Sequence, residues 1–352
     1  ADFIELFFDL VFVYAITKIT AATAHHLDLK HVLHSALTFW LLWWGWTQFT
    51  WALNATNTKI QGVRMTMLVA TAVAFVMASS ADKSFSENVL WFAIPYILIR
   101  VIGLILYVRV TSSFSEQKAA VISFAIPSLL GLIAVLCGSL ASPELRVWWW
   151  IGAIILDMLA SYIGSRKDGW NLNPGHFVER HGLIIIIALG ESLIVSASAI
   201  SAADMNIELM IVGALAVVVT CLLWWSYFAW IFEKMEHHLS LKSGSKQSSN
   251  ARDAFSLMHY ILICGIIGIS VSFEHILQHP KELLTLPIAY ALCGGYVLFT
   301  GFTAIALWRT AKVFLLSRFI LIVLTSISFL FIVGKPTFWA LGIVSISLLV
   351  TI

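Results

Sequence analysis

Charged residues are scarce in this sequence, and their scarcity sets the class of protein. Lys, Arg, Asp and Glu make up 11% of its 352 residues, whereas hydrophobic residues make up 60%. Because a soluble domain contains about 25% charged residues, this composition predicts a chain surrounded by lipid. The formal net charge of +2, with no basic stripe, gives no support for a nucleic-acid partner.

Cysteine is scarce as well. The sequence contains 4 cysteines, each inside an apolar run, and no CxxC spacing, which argues against a disulfide framework or a zinc ribbon. We interpret all of them as small core residues. They are Cys137, Cys221, Cys264 and Cys293.

Long apolar runs dominate what the sequence does contain. A run of about 20 apolar residues crosses a bilayer as a helix, and the sequence predicts an all-α polytopic membrane protein of about twelve transmembrane helices. Within the polar connection 234–252, the segment from Ser240 to Asn250 is rich in Ser, Lys and Gln, so it is predicted to be a mobile loop. The predicted spans are 4–24, 32–53, 63–80, 88–109, 119–140, 146–165, 180–201, 207–232, 253–277, 283–308, 313–333 and 336–352.

Lys and Arg residues lie mostly in every second connection between these runs. Arg64, Arg166 and Lys167 are examples. By the positive-inside rule these connections are cytoplasmic, which places both termini in the cytoplasm.

One pattern occurs twice, about half a chain apart. Phe3-Ile4-Glu5 returns as Phe177-Val178-Glu179, and Trp43-Trp44 returns as Trp224-Trp225. The repetition predicts two parallel six-helix repeats, 1–170 and 171–352. Duplicated helix bundles are used by transporters and channels, which need a path between two equivalent halves.

Ionisable residues at membrane depth mark functional sites by default. Glu5 and Asp9 lie four residues apart on one helical face, where two carboxylates would share a proton or bind a cation or an arginine. We predict an inner cation- or proton-responsive site at this pair, with Arg180 or Arg252 as the counter-charge. The alternative is a network of the pair with either arginine that only locks the helices together.

A second carboxylate site is predicted near the middle of the membrane. Glu191 lies three helical turns beyond Arg180, and we expect it to be protonated or paired when no substrate is bound. Gly190 before it is expected to let another helix approach closely, and His259 is predicted to join the ion-binding residues. Predicted gating or counter-charge residues are His176, Glu179, Arg180, Arg252 and Asp253; Arg100 with Asp157 is interpreted as a structural pair.

Histidine clusters offer an enzymatic alternative. Ligands of one metal cannot lie on opposite membrane faces, and the charge pattern places the clusters on both. The inner set remains open as a metal site, although no metal is predicted. The outer histidines are His25, His26, His31 and His34, and the inner set is His176, His181, His237 and His238 with Glu179, Glu233 and Glu236.

Two long signatures resemble those of the bacterial low temperature requirement A family. The first runs from Glu5 to Val13, and the second runs from His176 to Leu183 and continues from Ala188 to Ser192; Trp224 to Phe228 also fits. The resemblance covers essentially the whole chain. It implies a multi-pass protein of the bacterial cytoplasmic membrane, named for a cold-growth phenotype and without an established biochemical activity.

The first helix is also similar, more faintly, to that of the endolysosomal potassium-channel family. Phe7 and Asp9 match its Phe-Ser-Asp motif, whereas Phe8 replaces the serine and Tyr14 stands at the position of a pore-constricting isoleucine. In that family the first helix lines the pore, so the resemblance makes Phe8 and Tyr14 pore-lining candidates. In the second repeat Leu183 stands opposite Asp9, and the motif is absent.

The leading prediction is an ion- or proton-linked carrier or channel with its path between the two repeats. No cofactor is predicted, and the expected partners are the lipid bilayer and a small ion or molecule. A homodimer is compatible with the sequence. The alternatives are an intramembrane metal-dependent enzyme and a membrane sensor or scaffold without transport.

Overall fold

The fold is helical. A computed structural model describes residues 1–54, 56–111, 115–167, 170 and 172–352, and among these the β structure consists of one bridge between Leu283 and Pro336. The helices are α1 Phe3–His25, α2 Leu29–Asn54, α3 Gln61–Ser79, α4 Leu90–Thr111, α5 Ser115–Leu140, α6 Pro143–Ser165, α7 Pro174–Ala202, α8 Ile207–Phe228, α9 Ile231–Ser240, α10 Gly244–Ala251, α11 Met258–Gln278, α12 Leu286–Ala311, α13 Leu316–Ile332 and α14 Phe338–Thr351.

Each predicted span coincides with a helix to within a few residues, so the prediction of a helical membrane protein is confirmed. Within the described residues, 8 helical segments are long and apolar enough to cross a membrane, and two shorter apolar helices follow, Leu316–Ile332 and Phe338–Thr351. A total of twelve spans stays a prediction. The 8 segments are Gln61–Ser79, Leu90–Arg109, Lys118–Leu140, Pro143–Ser165, Pro174–Ala202, Ile207–Ser240, Gly244–Gln278 and Leu286–Ala311.

The chain forms two compact units, each assembled from segments that are separated in sequence. The first unit consists of Ala1–Ile19, Leu33–Arg180 and Leu239–Arg252. The second consists of Thr20–Val32, His181–His238 and Asp253–Ile352. The predicted division at residue 170 stays a prediction.

The positions matched by the sequence repeat have different environments. Glu5 is fully buried, whereas the Glu179 side chain is 53% exposed. Trp43 is buried, whereas Trp224 is exposed. Because the matched residues do not share their surroundings, the two-repeat arrangement stays a prediction.

The segment from Ser240 to Asn250 is mostly helical, so its prediction as a loop is wrong. It contains the end of α9 and most of α10, and a short π-helix, Arg252–Leu257, follows. Its polar side chains stabilise the turns by bonding to the main chain: Gln247 Nε2 donates to Leu239 O at 3.2 Å and to Lys242 O at 2.7 Å. The main-chain carbonyls at the end of a helix have no helical partners, and here polar side chains donate hydrogen bonds to them.

Close helix packing occurs at glycines of the second unit. A Cβ on Gly265 of α11 would lie 2.7 Å from Gly295 O of α12, and one on Gly295 would lie 2.6 Å from Gly265 O. Small residues allow such backbone contact between membrane helices. The prediction of a close approach at Gly190 is wrong, because a Cβ there would meet no atom of another described segment within 4 Å.

The prediction that every cysteine is a core residue is also wrong. Cys221 is exposed, and Cys137, Cys264 and Cys293 are intermediate in exposure. An apolar run does not distinguish a core position from a lipid-facing one, since lipid is as apolar as the protein interior.

Candidate functional site

The strongest cluster of buried charges lies in the first unit. Glu5 and Asp9 occupy one face of α1, Arg180 lies on α7, and all three are 0% exposed. Arg180 Nη1 donates to Glu5 Oε1 at 3.4 Å, and Arg180 Nη2 donates to Asp9 Oδ1. The two carboxylates therefore share the guanidinium of Arg180, one of the two arginines predicted as their counter-charge.

Arg252, the other predicted counter-charge, has a different environment. Its Nη1 donates to Ser165 Oγ at 2.6 Å, and its guanidinium lies 5.3 Å from the centre of the Tyr162 ring. These two contacts are with α6 of the first unit.

Each carboxylate also receives other donors. Glu5 Oε2 accepts from the main-chain N–H of Asp2 at 2.8 Å and lies 2.9 Å from His176 Nε2. Asp9 Oδ1 accepts from Trp46 Nε1 at 2.7 Å. Asp9 Oδ2 is buried and has no hydrogen-bond partner among the described residues. The two carboxyl groups are therefore solvated unequally.

The charges of this cluster do not balance. Two carboxylates face one guanidinium, and while His176 is neutral one negative charge is left over. Buried charge is costly unless it is paired, and neighbouring carboxylates that share a site relieve repulsion by binding a proton or a cation. The cluster can therefore hold one exchangeable positive charge.

A more exposed layer of polar residues lies next to the cluster. The His176 side chain is 21% exposed and that of Asp2 is 25% exposed. A hydrogen bond from the Thr58 hydroxyl, at 2.7 Å, lowers the pKa of Asp2 from its ordinary value; burial opposes this effect, and the Phe3 main-chain N–H and Arg64 add to it. Asp2 is thus held ionised beside Glu5.

A second buried ion pair in the first unit is balanced. Arg100 of α4 donates through Nη2 to Asp157 Oδ1 of α6 at 2.8 Å. Its Nε donates to Gln48 Oε1 and its Nη1 to Tyr96 Oη, each at 2.6 Å. One cation meets one carboxylate, and neutral partners take the remaining donors, which fits the predicted structural pair.

The second unit contains the other predicted ion-binding residues. His259 is fully buried; its Nε2 lies 2.6 Å from Tyr227 Oη and its Nδ1 2.8 Å from Ala254 O, within the π-helix. Glu191 is 1% exposed on α7. Asp253, predicted as a gating residue, accepts from Arg309 Nε at 2.8 Å.

The pore-lining candidates are packed against aromatic side chains. Phe8 is fully buried, with ring centroids 5.1 Å from Phe12 and 4.9 Å from Phe49. Tyr14 stacks on Phe75 at 5.8 Å. A pore-lining role for either residue stays a prediction.

Metal ligands do not converge in the part of the chain that the structure describes: no group of three or more His, Cys, Asp or Glu residues there could hold a metal ion. His237 and His238 lie side by side on α9 with ring centroids 5.4 Å apart. The metal-dependent alternative therefore receives no geometric support from these residues.

Sequence reasoning missed three residues of these sites. Trp46 bonds to Asp9, Asn54 bonds to His176, and Tyr227 bonds to His259. Trp46 and Asn54 both lie on α2, eight residues or about two helical turns apart. Both contact residues of the carboxylate site. That spacing was visible in the sequence, but the tryptophans around it obscured which ones are polar donors.

Comparison with known proteins gives a family match over the full chain. The family model described as "Bacterial low temperature requirement A protein (LtrA)" matches residues 1–352. A curated relative, an uncharacterized protein of Rhizobium meliloti (strain 1021), is 27% identical over 313 residues, which cover 86% of this chain and 76% of the relative. No solved structure matches the chain.

Proposed function

We propose that this chain, which belongs to the bacterial low temperature requirement A (LtrA) family, is a proton-linked transport protein of the membrane. The observation that supports the proposal is the unbalanced cluster of Glu5, Asp9 and Arg180, in which two buried carboxylates share one guanidinium. An ionisable residue inside a membrane protein is a functional-site hypothesis by default. The missing positive charge is supplied by an exchangeable proton.

The proton resides on Asp9. Glu5 receives Arg180, the Asp2 main-chain N–H and His176, so its charged form is well solvated. Asp9 receives its donors on Oδ1 alone, while Oδ2 is buried without a described donor. A buried oxygen without a hydrogen-bond donor favours the neutral form of a carboxyl group, so Asp9 is protonated first.

A purely structural ion pair would look like Arg100 with Asp157. That pair has one charge of each sign and both side chains are almost completely buried. The Asp9 cluster differs in two respects that matter for transport. It has two carboxylates for one guanidinium. It also connects through Glu5 to the partly exposed His176, so a proton can enter and leave without unfolding of the helices.

The experiment is proton flux into liposomes that contain the purified protein and a trapped pH-sensitive dye. With a proton gradient and a charge-compensating ionophore, wild-type protein is expected to acidify the lumen faster than empty liposomes. Asp9→Asn and Glu5→Gln should reduce this flux to the empty-liposome level, because an amide cannot exchange a proton. Asp28→Asn, which removes an exposed carboxylate from the connection between α1 and α2, is the matched control and should retain the flux.

The proposal fails if wild-type and empty liposomes acidify equally under gradients of either direction. It also fails if Asp9→Asn and Glu5→Gln, verified as folded and inserted, transport protons like Asp28→Asn. Monodispersity of each variant in detergent separates these outcomes from misfolding.

Glu191 is the second proton-binding residue of the same proposal. It is 1% exposed in the second unit, close to the middle of a 29-residue helix. Gln reproduces the shape and hydrogen bonding of a protonated Glu, so Glu191→Gln should fold and insert yet lose pH-dependent flux. If Glu191→Gln misfolds while its folded fraction keeps normal flux, Glu191 is a structural residue.

A further inference from the structure

We infer that His176 is the proton entry site of the Glu5–Asp9 cluster and that Asn54 fixes the tautomer that points the Nε2 proton at Glu5. The inference rests on the proposed proton-linked function. It concerns residues of the first unit alone: Asn54 at the end of α2, Asn173 before α7, His176 in the first turn of α7, and Glu5 on α1.

The amide of Asn54 can face in one way only. Its Oδ1 accepts from the main-chain N–H of Asn173 at 2.7 Å, and its Nδ2 donates to the main-chain carbonyl of Asn173 at 3.0 Å. A flipped amide would place oxygen against oxygen and N–H against N–H. The main-chain N–H and carbonyl of Asn173 therefore identify which side-chain atom of Asn54 is Oδ1 and which is Nδ2, the way in which a hydrogen-bond network decides the orientation of an amide.

This orientation determines the tautomer of His176. Asn54 Nδ2 lies 3.2 Å from His176 Nδ1, and Nδ2 is a donor without lone pairs to offer. His176 Nδ1 must therefore accept, so the proton of the neutral ring is on Nε2. That Nε2–H points at Glu5 Oε2, 2.9 Å away.

A ring with this tautomer passes protons inward. A proton from the aqueous side binds the lone pair of Nδ1 on this partly exposed imidazole, a step for which Asn54 Nδ2 must release its hydrogen bond to Nδ1. The Nε2 proton then transfers to Glu5 Oε2: the N–H bond breaks, an O–H bond forms, and the ring is left neutral with its proton on Nδ1. Atoms and charge balance, since one proton enters and one leaves.

The ring returns to its starting tautomer when Nδ1 releases its proton to water and Nε2 takes one up from water, an exchange with no net gain or loss of protons. With the proton on Nδ1, the ring repels the donor Nδ2 of Asn54, whereas the original tautomer accepts from it. Asn54 is thus a positioning residue that resets His176. Charged groups around His176 are Glu5 and Asp2 on the side of α1, and Glu179 and Arg180 on α7; the end of α2 contributes the neutral Asn54.

Nuclear magnetic resonance tests the tautomer independently of transport. In protein labelled with ¹⁵N-histidine, the resonances of His176, assigned by comparison with His176→Gln, should show an unprotonated Nδ1 and a protonated Nε2 in the neutral form of the ring. Asn54→Leu keeps the approximate side-chain volume but removes the donor, so it should shift population toward the Nδ1-protonated form. Asn57→Leu, in the same connection after α2, is the matched control and should leave the tautomer unchanged. A wild-type ring protonated on Nδ1 overturns the inference.

Liposome flux then tests the relay. His176→Ala should lower proton flux on the order of 100-fold, the lower end of what a positioned proton-transfer group contributes, and added imidazole should restore part of it. Failure of imidazole to restore flux in folded His176→Ala, or unchanged flux in that variant, overturns the relay while the dependence on Asp9 leaves the proposed function standing. Absence of proton flux in the wild type would instead refute the proposed function, whatever the tautomer.

Discussion

Removal of the shared guanidinium is the most demanding test of the Glu5–Asp9 cluster. Arg180→Gln leaves two fully buried carboxyl groups without a cation. Unit charges about 4 Å apart attract by about 4 kcal/mol at an effective dielectric constant of about 20, and breaking a buried ion pair by removal of one partner costs about 3–5 kcal/mol. We therefore expect the free energy of unfolding at neutral pH to fall by about 3–5 kcal/mol.

The assay is SDS-induced unfolding in mixed micelles, monitored by circular dichroism. Arg64→Gln is the control, because Arg64 is 52% exposed and its nearest contact to Asp2 is 4.0 Å; an exposed pair of this kind contributes about 0–1 kcal/mol. Adding Glu5→Gln to Arg180→Gln should recover part of the loss, since the buried negative charge of Glu5 is removed. If Arg180→Gln is no less stable than Arg64→Gln, the cluster is not held by its ion pairs and our description of it is wrong.

Three further predictions concern other parts of the molecule. Asp157→Asn should lower the free energy of unfolding by about 3–5 kcal/mol, because a buried arginine loses its carboxylate, while the folded fraction keeps wild-type proton flux in liposomes; loss of that flux would contradict a structural role. Thr58→Val should raise the pKa of Asp2 toward its ordinary value in an NMR titration. Because folding lowers the pKa of Asp2, the ionised carboxylate stabilises the fold at pH values above the pKa that Asp2 has in the unfolded protein. This stabilisation is lost as the pH falls through the pKa of Asp2 in the folded protein. An unchanged pKa in Thr58→Val would contradict the role of the hydroxyl. Gly265→Ala should lower the unfolding free energy by about 1–3 kcal/mol through overpacking, whereas Gly294→Ala, whose Cβ would meet nothing within 4 Å, should not; equal effects in SDS unfolding would contradict the close helix contact.

The sequence predicted the helices well because a bilayer imposes one requirement on every span. Main-chain groups in hydrocarbon must be bonded within the segment, so long apolar runs such as 180–201 become helices with little ambiguity. The pairing of Glu5 and Asp9 with an arginine also followed from a local rule, since residues four apart share a helical face. Only the three-dimensional structure distinguished Arg180 from Arg252 as the partner.

The remaining errors share a physical cause. Hydropathy does not separate lipid-facing from buried positions, which is why exposed Cys221 was assigned to the core and Gly190 to a helix contact. Polar composition alone does not distinguish a loop from a helix either. The side chain of Gln247 donates hydrogen bonds to main-chain carbonyls at the ends of the segment that was predicted to be a loop, and it thereby stabilises the helical turns. Asn54 and Trp46 were overlooked because their importance depends on contacts 37 or more residues away in sequence.

The claim that Asp9 carries an exchangeable proton can be measured directly by infrared difference spectroscopy between neutral and alkaline pH. Wild-type protein should show the carbonyl band of a protonated carboxylic acid that disappears at alkaline pH, and Asp9→Asn should lack that band while Asp28→Asn retains it. Identical carboxylic acid bands in wild type and Asp9→Asn would show that the proton is not held by Asp9, and the account of the cluster as a proton-binding site would be contradicted.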